Sequence, residues 1–410
     1  MHTASKTGSV TGLGRAGLLL AALSLSGLAP PARAQTAADL FDDSVLHEIR
    51  LYMHPDDWQL LHTHYLENTY YPADVQWRNE VAYDAGVRSR GLGSRSPIKP
   101  GLRVDLNRYT KGQRFLGLTS FILDNAAQDV SFLREPLCMR LFRHMGFSAP
   151  REAYTRLYVN NTYIGLYIII EDITKDFLRR NFDEDAGYLY EYKWTDEYRF
   201  EYLGPKPEPY LVKFKPVTHE KKPDASILEE MIRMINQASD EEFAVRIPEF
   251  LDPNTLVTYL AVENFVAEFD GILGDWGMNN FYLYRREDQK RFTFIPWDKD
   301  VTCSRPDHPI DYNLTTNVLV RRLMASPELR RAYLEALRAV AFEAGGPGGW
   351  LEERLDRAYR LLRSAALDDT AKGFSNEAFE DHVALVREFV RNRAETVLLL
   401  IEPALASMIN

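Results

Sequence analysis

Cysteine is scarce in this sequence, which holds only two, Cys138 and Cys303, among 410 residues. Two cysteines cannot form a disulfide-rich scaffold, so the fold must rest on a hydrophobic core. Apolar side chains make up 45% of the chain, enough for one large core or two joined lobes. The two cysteines either pair with each other or stay buried thiols, and both alternatives remain open because Cys138 lies in an apolar helical pattern.

Long hydrophobic runs are missing after the N-terminal segment. Residues 16–28 form an apolar run that is too short to span a bilayer comfortably. This run follows two positive charges and precedes an Ala-Arg-Ala sequence, the form of a signal-peptide cleavage site. We therefore predict a signal peptide over residues 1–34, export to the periplasm or the extracellular space, and no stable membrane insertion after cleavage.

Basic residues are outnumbered by acidic ones, 49 Lys and Arg against 59 Asp and Glu, which gives a net charge of −10. Three of the basic residues lie in the predicted signal peptide, so the mature chain is more acidic still. Such a surface argues against nucleic acid or anionic membranes as main partners. Cations and basic protein segments are easier partners for it.

Hydrophobic periodicity divides the chain into a strand-rich first part and a helical last part. Short strand-like segments prevail up to residue 171, and long helical periods follow residue 309. We expect helices over residues 318–342, 350–366 and 376–406. Two finer predictions are a turn over Tyr83–Gly86 and a strand over Tyr210–Phe214.

The stretch from Phe269 to Cys303 combines two strand-like segments with acidic and amide side chains at their outer ends. The segments, Phe281–Arg285 and Arg291–Pro296, are joined by a polar turn, which is the pattern of a hairpin. Because an antiparallel hairpin brings its outer ends together, the polar side chains are expected to share one small volume. They are Asp270, Asp275, Asn279 and Asn280 on one side, and Asp298 and Asp300 on the other. Such hard oxygen ligands suit Mg²⁺, which prefers one or two carboxylates plus a substrate phosphate.

The spacing of Asp275 and Asn280 fits D-x-x-x-x-N, the arrangement of a phosphotransferase catalytic loop. In such a loop the Asp accepts the proton of the acceptor hydroxyl, and the Asn holds a metal ion. Asp298, one hairpin later, lies where these enzymes keep a second metal-binding Asp. The alternative is that each of these acids only caps or solvates a turn.

A basic, glycine-containing segment at residues 88–107 is a second candidate site. Its glycines can form a flexible loop that turns backbone N–H groups toward an anion. In an acidic chain, four cations within fourteen residues indicate phosphate binding. The alternative is an exposed basic turn. The candidate cofactor-binding residues here are Arg90, Gly91, Gly93, Ser94, Lys99 and Arg103.

Two further acidic residues extend this interpretation. Glu135, near the start of a predicted helix, either pairs with Lys99 or stabilises the helix N-terminus. Glu171 ends an almost wholly apolar strand and begins a short acidic link to the next helix. In a two-lobed kinase such a link connects the lobes, and its backbone binds the nucleotide base, so Glu171 is also a candidate cofactor-binding residue.

Several segments resemble the CotH (spore-coat protein H) kinase family, in order from about residue 45 to about residue 305. They are RGLGSR at 90–95 with Lys99 and Arg103, LDN at 123–125, LYVNNTYIGLY at 157–167 with Glu171, NNFYLY at 279–284, and IPWD at 295–298 with Asp300. The Gly-Leu-Tyr and Asn-Phe-Tyr-Leu-Tyr…Pro-Trp-Asp pieces are the most specific. At Gly91–Ser94 the chain departs from the family, which usually has Gly-Asn-Ser-Ser there.

The resemblance implies an α+β, atypical two-lobed protein kinase-like fold. Its β-rich N-lobe would span residues 35–171, and its helical C-lobe, residues 172–410, would contain the hairpin of residues 269–303. The resemblance also implies ATP and Mg²⁺ as cofactors, and phosphate transfer to Ser or Thr of an exported or surface protein.

The same resemblance implies roles for single residues. Asp275 would be the catalytic residue, and Asp270 is the alternative. Asp275 is preferred because only it stands five residues before Asn280. The metal would be held by Asn280, Asp298 and Asp300, and the phosphates would be contacted by Lys99 and Arg103. Two other classes of function stay open: a non-catalytic surface-assembly module with the same fold, and a metal-assisted hydrolase or glycosidase that uses two of the carboxylates.

Overall fold

The computed structural model describes residues 34–407, which form a mixed α+β fold. The predicted signal peptide, residues 1–34, lies outside this part of the chain except for its last residue. The strands of the described part are β1 (His47–Met53), β2 (Tyr71–Trp77), β3 (Glu80–Arg90), β4 (Gly101–Asp105), β5 (Ser120–Asp124), β6 (Glu152–Val159), β7 (Thr162–Glu171), β8 (Tyr188–Tyr192), β9 (Phe214–Pro216), β10 (Phe281–Arg285) and β11 (Phe292–Pro296). Its helices are α1 (Ala37–Leu40), α2 (Pro55–Thr63), α3 (Arg134–His144), α4 (Lys175–Phe182), α5 (Glu208–Lys213), α6 (Ser226–Gln237), α7 (Asp240–Phe250), α8 (Pro253–Phe265), α9 (Val318–Met324), α10 (Pro327–Ala344), α11 (Trp350–Asp368) and α12 (Asn376–Ser407).

The first seven strands close into a barrel in the order β1-β2-β3-β4-β5-β7-β6. β1 closes the ring by pairing parallel with β6, and the other neighbours are antiparallel. Alternate side chains of β1 point inward, so Ile49, Leu51 and Met53 are buried. β6 and β7 form a hairpin across Asn160 and Asn161, whose φ angles of +49° and +67° suit a tight turn. The barrel has its own apolar interior.

The second sheet has the order β11-β10-β8-β9 and is antiparallel throughout. β10 lies between two neighbours, and all of its residues are buried. A larger apolar core joins this sheet to the later helices. α8 is buried along most of its length and packs on α10, which also packs on α12. The loop between α8 and β10 carries Asp270 and Asp275, so both ends of that loop are anchored in this core.

The predicted turn over Tyr83–Gly86 is wrong. β2 and β3 are joined at Arg78 and Asn79, and the predicted turn residues lie inside β3. There the register with β2 shifts, and Asp84 takes a φ of +52°. The turn-forming residues therefore make a β-bulge, which uses the same left-handed conformation without reversing the chain.

A strand prediction and a helix prediction also need correction. The predicted strand at Tyr210–Phe214 is mostly helix α5, which has Pro209 in its first turn, a position that favours helix initiation. The helix predicted over residues 318–342 divides into α9 and α10. The Ser326 side chain accepts the Leu329 N–H and so starts a new helix at that point.

β7 ends at Glu171, and the described residues from Thr36 onward form one compact unit. A division into two kinase-like lobes at residue 171 stays a prediction. None of the helices between residues 34 and 407 combines the length and the apolar character that crossing a membrane requires.

Candidate functional site

The predicted hairpin exists, and it joins the two polar ends as expected. β10 and β11 pair from Phe281 opposite Pro296 to Arg285 opposite Phe292. Beyond the ladder, the Trp297 N–H donates to the Asn280 carbonyl at 3.2 Å. Asn280 and Asp298 therefore lie at the same end of the sheet.

Asn280 and Asp298 both have left-handed backbone conformations, with φ angles of +57° and +51°. Asn and Asp tolerate this region better than other non-glycine residues, but it still costs energy. Residues held in such conformations cluster at binding and catalytic sites. The two outliers thus mark this end of the hairpin as a place where the chain fixes side-chain direction.

Asp270 is the acid that joins Asn280. The Asn280 amide donates to the Asp270 carboxylate at 2.9 Å, and the Asn279 amide donates to both of its oxygens at 3.2 and 3.1 Å. Burial raises the pKa of Asp270 in spite of these hydrogen bonds. The Asp270 carboxylate is thus held half-buried beside the hairpin.

A buried ionic network lies behind the Asp270 loop. The Lys299 ammonium is fully buried and lies 2.9 Å from the Glu263 carboxylate and 3.4 Å from that of Glu268. It also donates to the Asn280 carbonyl at 3.2 Å. Burial raises the pKa of Glu268 to about 8, although Lys299 opposes this. The network ties α8, the Asp270 loop and the segment after β11 to one another.

Four carboxyl groups, which we call the acidic cluster, influence one another at the end of the hairpin: Asp124, Glu135, Asp298 and Asp300. Burial raises the pKa of Asp298 to about 6, and the Asp124 charge adds to the effect. Burial and the Asp298 charge raise the pKa of Asp300. Burial also raises the pKa of Glu135, followed by the charges of Glu152, Asp298 and Asp124. At Glu135, Asp298 and Asp300, burial and the neighbouring acidic charges together favour the protonated form of the carboxyl group.

Arg90 brings the basic segment to the acidic cluster. It ends β3, and its guanidinium forms an ion pair with Asp124 at 2.9 Å. The same guanidinium lies 5.6 Å from the centre of the Trp297 ring, and its charge lowers the pKa of Asp298. The two predicted candidate sites therefore meet at Arg90 and Asp298.

The loop after Arg90 is fixed by side chains around it. Gly91 has a φ of +110°, and a Cβ there would meet the Ser94 hydroxyl at 2.4 Å, so glycine is required. Gly93 is exposed, and a Cβ on it would have no neighbour within 4 Å among the described residues. The Asn125 amide binds the Ser94 carbonyl at 3.0 Å and the Lys99 carbonyl at 2.7 Å. Asn125, next to Asp124, thus holds the loop near the acidic cluster.

Lys99 is committed to another partner. Its ammonium lies 2.7 Å from the Asp369 carboxylate, just after α11, and close to the rings of Phe132 and Tyr167. Burial lowers the pKa of Lys99, while Asp369 opposes this. Lys99 therefore does not pair with Glu135, and its contact with phosphates stays a prediction.

Arg103 and Glu171 also have protein partners. Arg103 forms an ion pair with Asp172 at 2.7 Å. The Glu171 carboxylate is paired with Arg151 at 2.9 Å and Arg180 at 2.6 Å, and its N–H donates to the Arg151 carbonyl. The predicted roles of Arg103 and Glu171 in cofactor binding stay predictions.

Asp275 and Asn280 have different hydrogen-bond partners. It is exposed, and its carboxylate accepts hydrogen bonds from the Tyr312 hydroxyl and from the Asn313 amide. Two guanidinium N–H groups of Arg199 hold the carbonyls of Gly274 and Asp275 at 2.9 Å. The backbone here is therefore fixed while the Asp275 carboxylate faces solvent, and its catalytic role stays a prediction.

The sequence does not single out Asp124 and Lys299 as members of this region. Asp124 belongs to the LDN segment that contributes to the family resemblance, which is the one signal that points to it. Lys299 reads as an ordinary charged residue between two acids, and only the fold buries it. Glu135 lies in the first turn of α3, as one of the two predictions for it has it, and its carboxyl group also belongs to the acidic cluster.

The chemistry of the donor set fits a cation that brings its own further ligands. Within residues 34–407, no three His, Cys, Asp or Glu side chains come close enough together to hold a metal ion on their own. Mg²⁺ takes one or two carboxylates and completes its coordination with water and phosphate oxygens. The acidic cluster is compatible with that mode, and Arg90 adds a donor suited to phosphate.

Cys138 and Cys303 are free, buried thiols whose sulfur atoms lie 3.8 Å apart. Cys138 also contacts the Thr302 hydroxyl at 3.2 Å. The expectation that Cys138 lies in a buried helix is confirmed. The contact between the two thiols joins α3 to the segment that follows Asp300 in the chain.

The fold and the site define an α+β protein in which a glycine-containing loop at the rim of a barrel carries an arginine to a buried acidic cluster. The chain belongs to the family described as CotH kinase protein, whose profile matches residues 87–397. It is similar to the inner spore coat protein H of Bacillus subtilis (strain 168), with 23% identity over 356 residues, 84% of this chain and 95% of that protein. The family resemblance drawn from the motifs is thereby confirmed.

Proposed function

We propose that this protein is an atypical kinase that transfers the γ-phosphate of ATP to Ser or Thr side chains of exported or surface proteins, with Mg²⁺ as cofactor. In this proposal the barrel is the N-lobe, and the second sheet with the later helices is the C-lobe. The observation that carries it is the meeting of Arg90 with the acidic cluster at Asp298. Family membership supports it.

In this proposal the metal would bind at the acidic cluster. Asp298 and Asp300 are buried carboxyls whose pKa is raised, first by burial and then by neighbouring acids. Together with the amide of Asn280 they would hold Mg²⁺, because a divalent cation offsets the repulsion between the carboxylates. When bound there, the metal supplies positive charge to the terminal phosphates of the nucleotide.

The protein's own groups would position the reactants. Arg90 and the backbone N–H groups of the loop at Gly91 would bind phosphate oxygens. The acceptor hydroxyl oxygen forms a bond to the γ-phosphorus as the bond to the β,γ-bridging oxygen breaks, and ADP leaves. The hydroxyl proton passes to a carboxylate, for which the spacing predicts Asp275. Its exposure lets a protein substrate reach it.

Export is part of the proposal. The N-terminal sequence predicts a signal peptide, and the similar protein from Bacillus subtilis is named an inner spore coat protein. A protein that acts outside the cytoplasm would meet exported or surface proteins as acceptors. The acidic net charge of −10 favours acceptor segments that carry basic residues.

A non-catalytic surface-assembly module is the second candidate, and a specific observation favours it. Lys99 is bound to Asp369 and Arg103 to Asp172, so two of the cations predicted for phosphate already have partners. A binding module with a kinase-like fold would not need Lys99 and Arg103 to be free for binding phosphate. The name of the similar Bacillus protein, a spore coat component, is compatible with this candidate.

Phosphate transfer can be measured directly with the mature protein, γ-labelled ATP and Mg²⁺, scored for labelling of itself and of co-exported proteins. A kinase labels Ser or Thr, and the label is lost in Asp298→Asn and kept in Asp288→Asn, which changes an exposed acid in the turn of the same hairpin. Absence of transfer by a folded wild-type protein that also fails to bind ATP supports the assembly module instead.

A further inference from the structure

A cavity of about 400 Å³ lies between α3, the start of β6 and α11. None of the residues that line it belongs to the acidic cluster, the Asp270 loop or the glycine-containing loop. It is lined by α3 and α11 on facing sides, and each helix contributes arginines. We call it the arginine cavity.

The lining of the arginine cavity is strongly basic for so acidic a chain. Among the described residues that line it, only Asp43 and Glu152 are acidic. The three arginines of α11 are spaced three residues apart, and side chains at this spacing are neighbours on the helix surface. The five arginines that line the cavity are Arg140 and Arg143 from α3, and Arg354, Arg357 and Arg360 from α11.

Two of the side chains that line the arginine cavity, Arg354 and Glu152, have polar atoms without a hydrogen-bond partner among the described residues. The Nε of Arg354 is buried and has no hydrogen-bond acceptor among the described residues. Both carboxyl oxygens of Glu152, which is 2% exposed, likewise have no donor in that part of the chain. Since buried polar groups are nearly always hydrogen-bonded, these atoms mark a place for a missing partner. Arg140, in contrast, is paired with Asp43, and Arg143 donates to the Pro150 carbonyl.

The positive charges of the arginines in the cavity repel one another. Burial, together with the charges of Arg143 and Arg354, lowers the pKa of Arg140 to about 10. Burial raises the pKa of Glu152 to about 8, so at neutral pH this carboxyl is mostly protonated and offsets little of the positive charge. An anion that entered the cavity would relieve the repulsion between the arginines.

We infer that the arginine cavity is a binding site for a phosphate group, separate from the site of the proposed kinase reaction. Guanidinium groups present forked donors that match phosphate oxygens in pairs, and Arg354 has an unused donor there. The neutral Glu152 carboxyl can donate a further hydrogen bond to an oxyanion. The volume is that of a small-ligand pocket, so it accommodates a phosphate ester as well as free phosphate.

The test is calorimetric titration of the mature protein, in EDTA, with inorganic phosphate and with O-phosphoserine, against chloride at equal ionic strength. We expect saturable binding that weakens at least about tenfold in Arg354→Gln and in Arg360→Gln. Arg363→Gln, on the same helix but paired with Glu380 outside the cavity, is the matched control and keeps wild-type affinity. Arg360 is exposed, so its variant remains informative if Arg354→Gln does not fold.

Tighter binding of O-phosphoserine than of inorganic phosphate identifies a phosphorylated side chain as the ligand, and the reverse order identifies free phosphate. The inference is overturned if neither anion binds more strongly than chloride, or if both arginine variants bind like wild type.

Discussion

At the scale of single residues, Asp298 combines three features that seldom occur together in a purely structural aspartate. Its backbone is left-handed, its side chain is largely buried, and other carboxylates lie close to it. Each of these raises the free energy of the folded protein without bound metal. Their combination at one residue supports the proposed binding of a cation at Asp298.

The raised pKa of Asp298 predicts a dependence of stability on pH. Its value of about 6 in the folded protein exceeds the usual value near 4, so ionisation opposes folding. The contribution of Asp298 to the free energy of unfolding therefore falls as pH rises from about 4 to about 6, and the loss from this group amounts to about 3 kcal/mol above that window. In EDTA, Asp298→Asn should be more stable than wild type at pH 7.5 by up to that amount.

Urea denaturation at pH 4 and pH 7.5 checks this. The advantage of Asp298→Asn should vanish at pH 4, where the wild-type carboxyl is protonated too. The exposed Asp288→Asn should differ little from wild type at either pH. An Asp298→Asn variant that is no more stable than wild type at pH 7.5 would contradict the assigned environment.

Asp270 and Asp275 are expected to differ in what they do. The Asp270 carboxylate is bonded to Asn280, whereas that of Asp275 is exposed and bonded to Tyr312 and Asn313. We expect Asp270→Asn to weaken the stabilisation of the protein by Mg²⁺ in thermal unfolding. Asp275→Asn should leave that stabilisation unchanged and lower turnover by about 10²- to 10⁴-fold, the usual contribution of a general base. The reverse pattern would assign the proton to Asp270.

At the scale of elements, the loop between α8 and β10 depends on a glycine for packing. A Cβ at Gly271 would lie 2.4 Å from a carboxylate oxygen of Glu263, which is held by Lys299. Gly271→Ala should lower the free energy of unfolding by about 1–3 kcal/mol, because neither group can move without breaking the buried network. Gly93→Ala, where a Cβ meets open space, is the matched control. Equal stability of the two variants in urea denaturation would refute this account.

The β10–β11 hairpin is the element that could be predicted best from the sequence. Two short apolar strands and a polar turn determine it locally, and its pairing then brings Asn280 beside Trp297. The sequence predicts the arrival of Arg90 at the same place only in general terms, because this contact depends on the closure of the barrel. The local sequence pattern thus predicts the two strands of a hairpin, whereas the residues that contact the hairpin from elsewhere depend on long-range packing.

Other elements show where sequence reasoning fails. Tyr83–Gly86 has turn residues, but the strand continues through them as a bulge, since pairing with β2 and β4 outweighs the local preference. The pairing of Lys99 with Asp369 is also missed, because only the fold brings the end of α11, far along the chain, to Lys99. Partners so distant in sequence cannot be read from spacing.

At the scale of the whole molecule, the pair of Lys99 and Asp369 joins the barrel to α11. Both side chains are buried, and Asp369 also accepts the Leu166 N–H of β7 at 3.0 Å. Lys99→Met leaves a buried carboxylate without its cation, so the free energy of unfolding should fall by about 3–5 kcal/mol. The exposed Lys111→Met is the control in urea denaturation. Loss of ATP affinity with unchanged stability would instead make Lys99 a phosphate ligand.

The central claim concerns the two parts of the chain that meet at the acidic cluster, the barrel through Arg90 and the hairpin through Asp298. The most direct measurement is calorimetric titration of the mature protein with ATP, in the presence of Mg²⁺ and in EDTA, for wild type, Asp298→Asn and Asp288→Asn. The account predicts Mg²⁺-dependent binding by wild type and Asp288→Asn, and its loss in Asp298→Asn. Binding of ATP that needs no Mg²⁺, or that persists unchanged in Asp298→Asn, would contradict it.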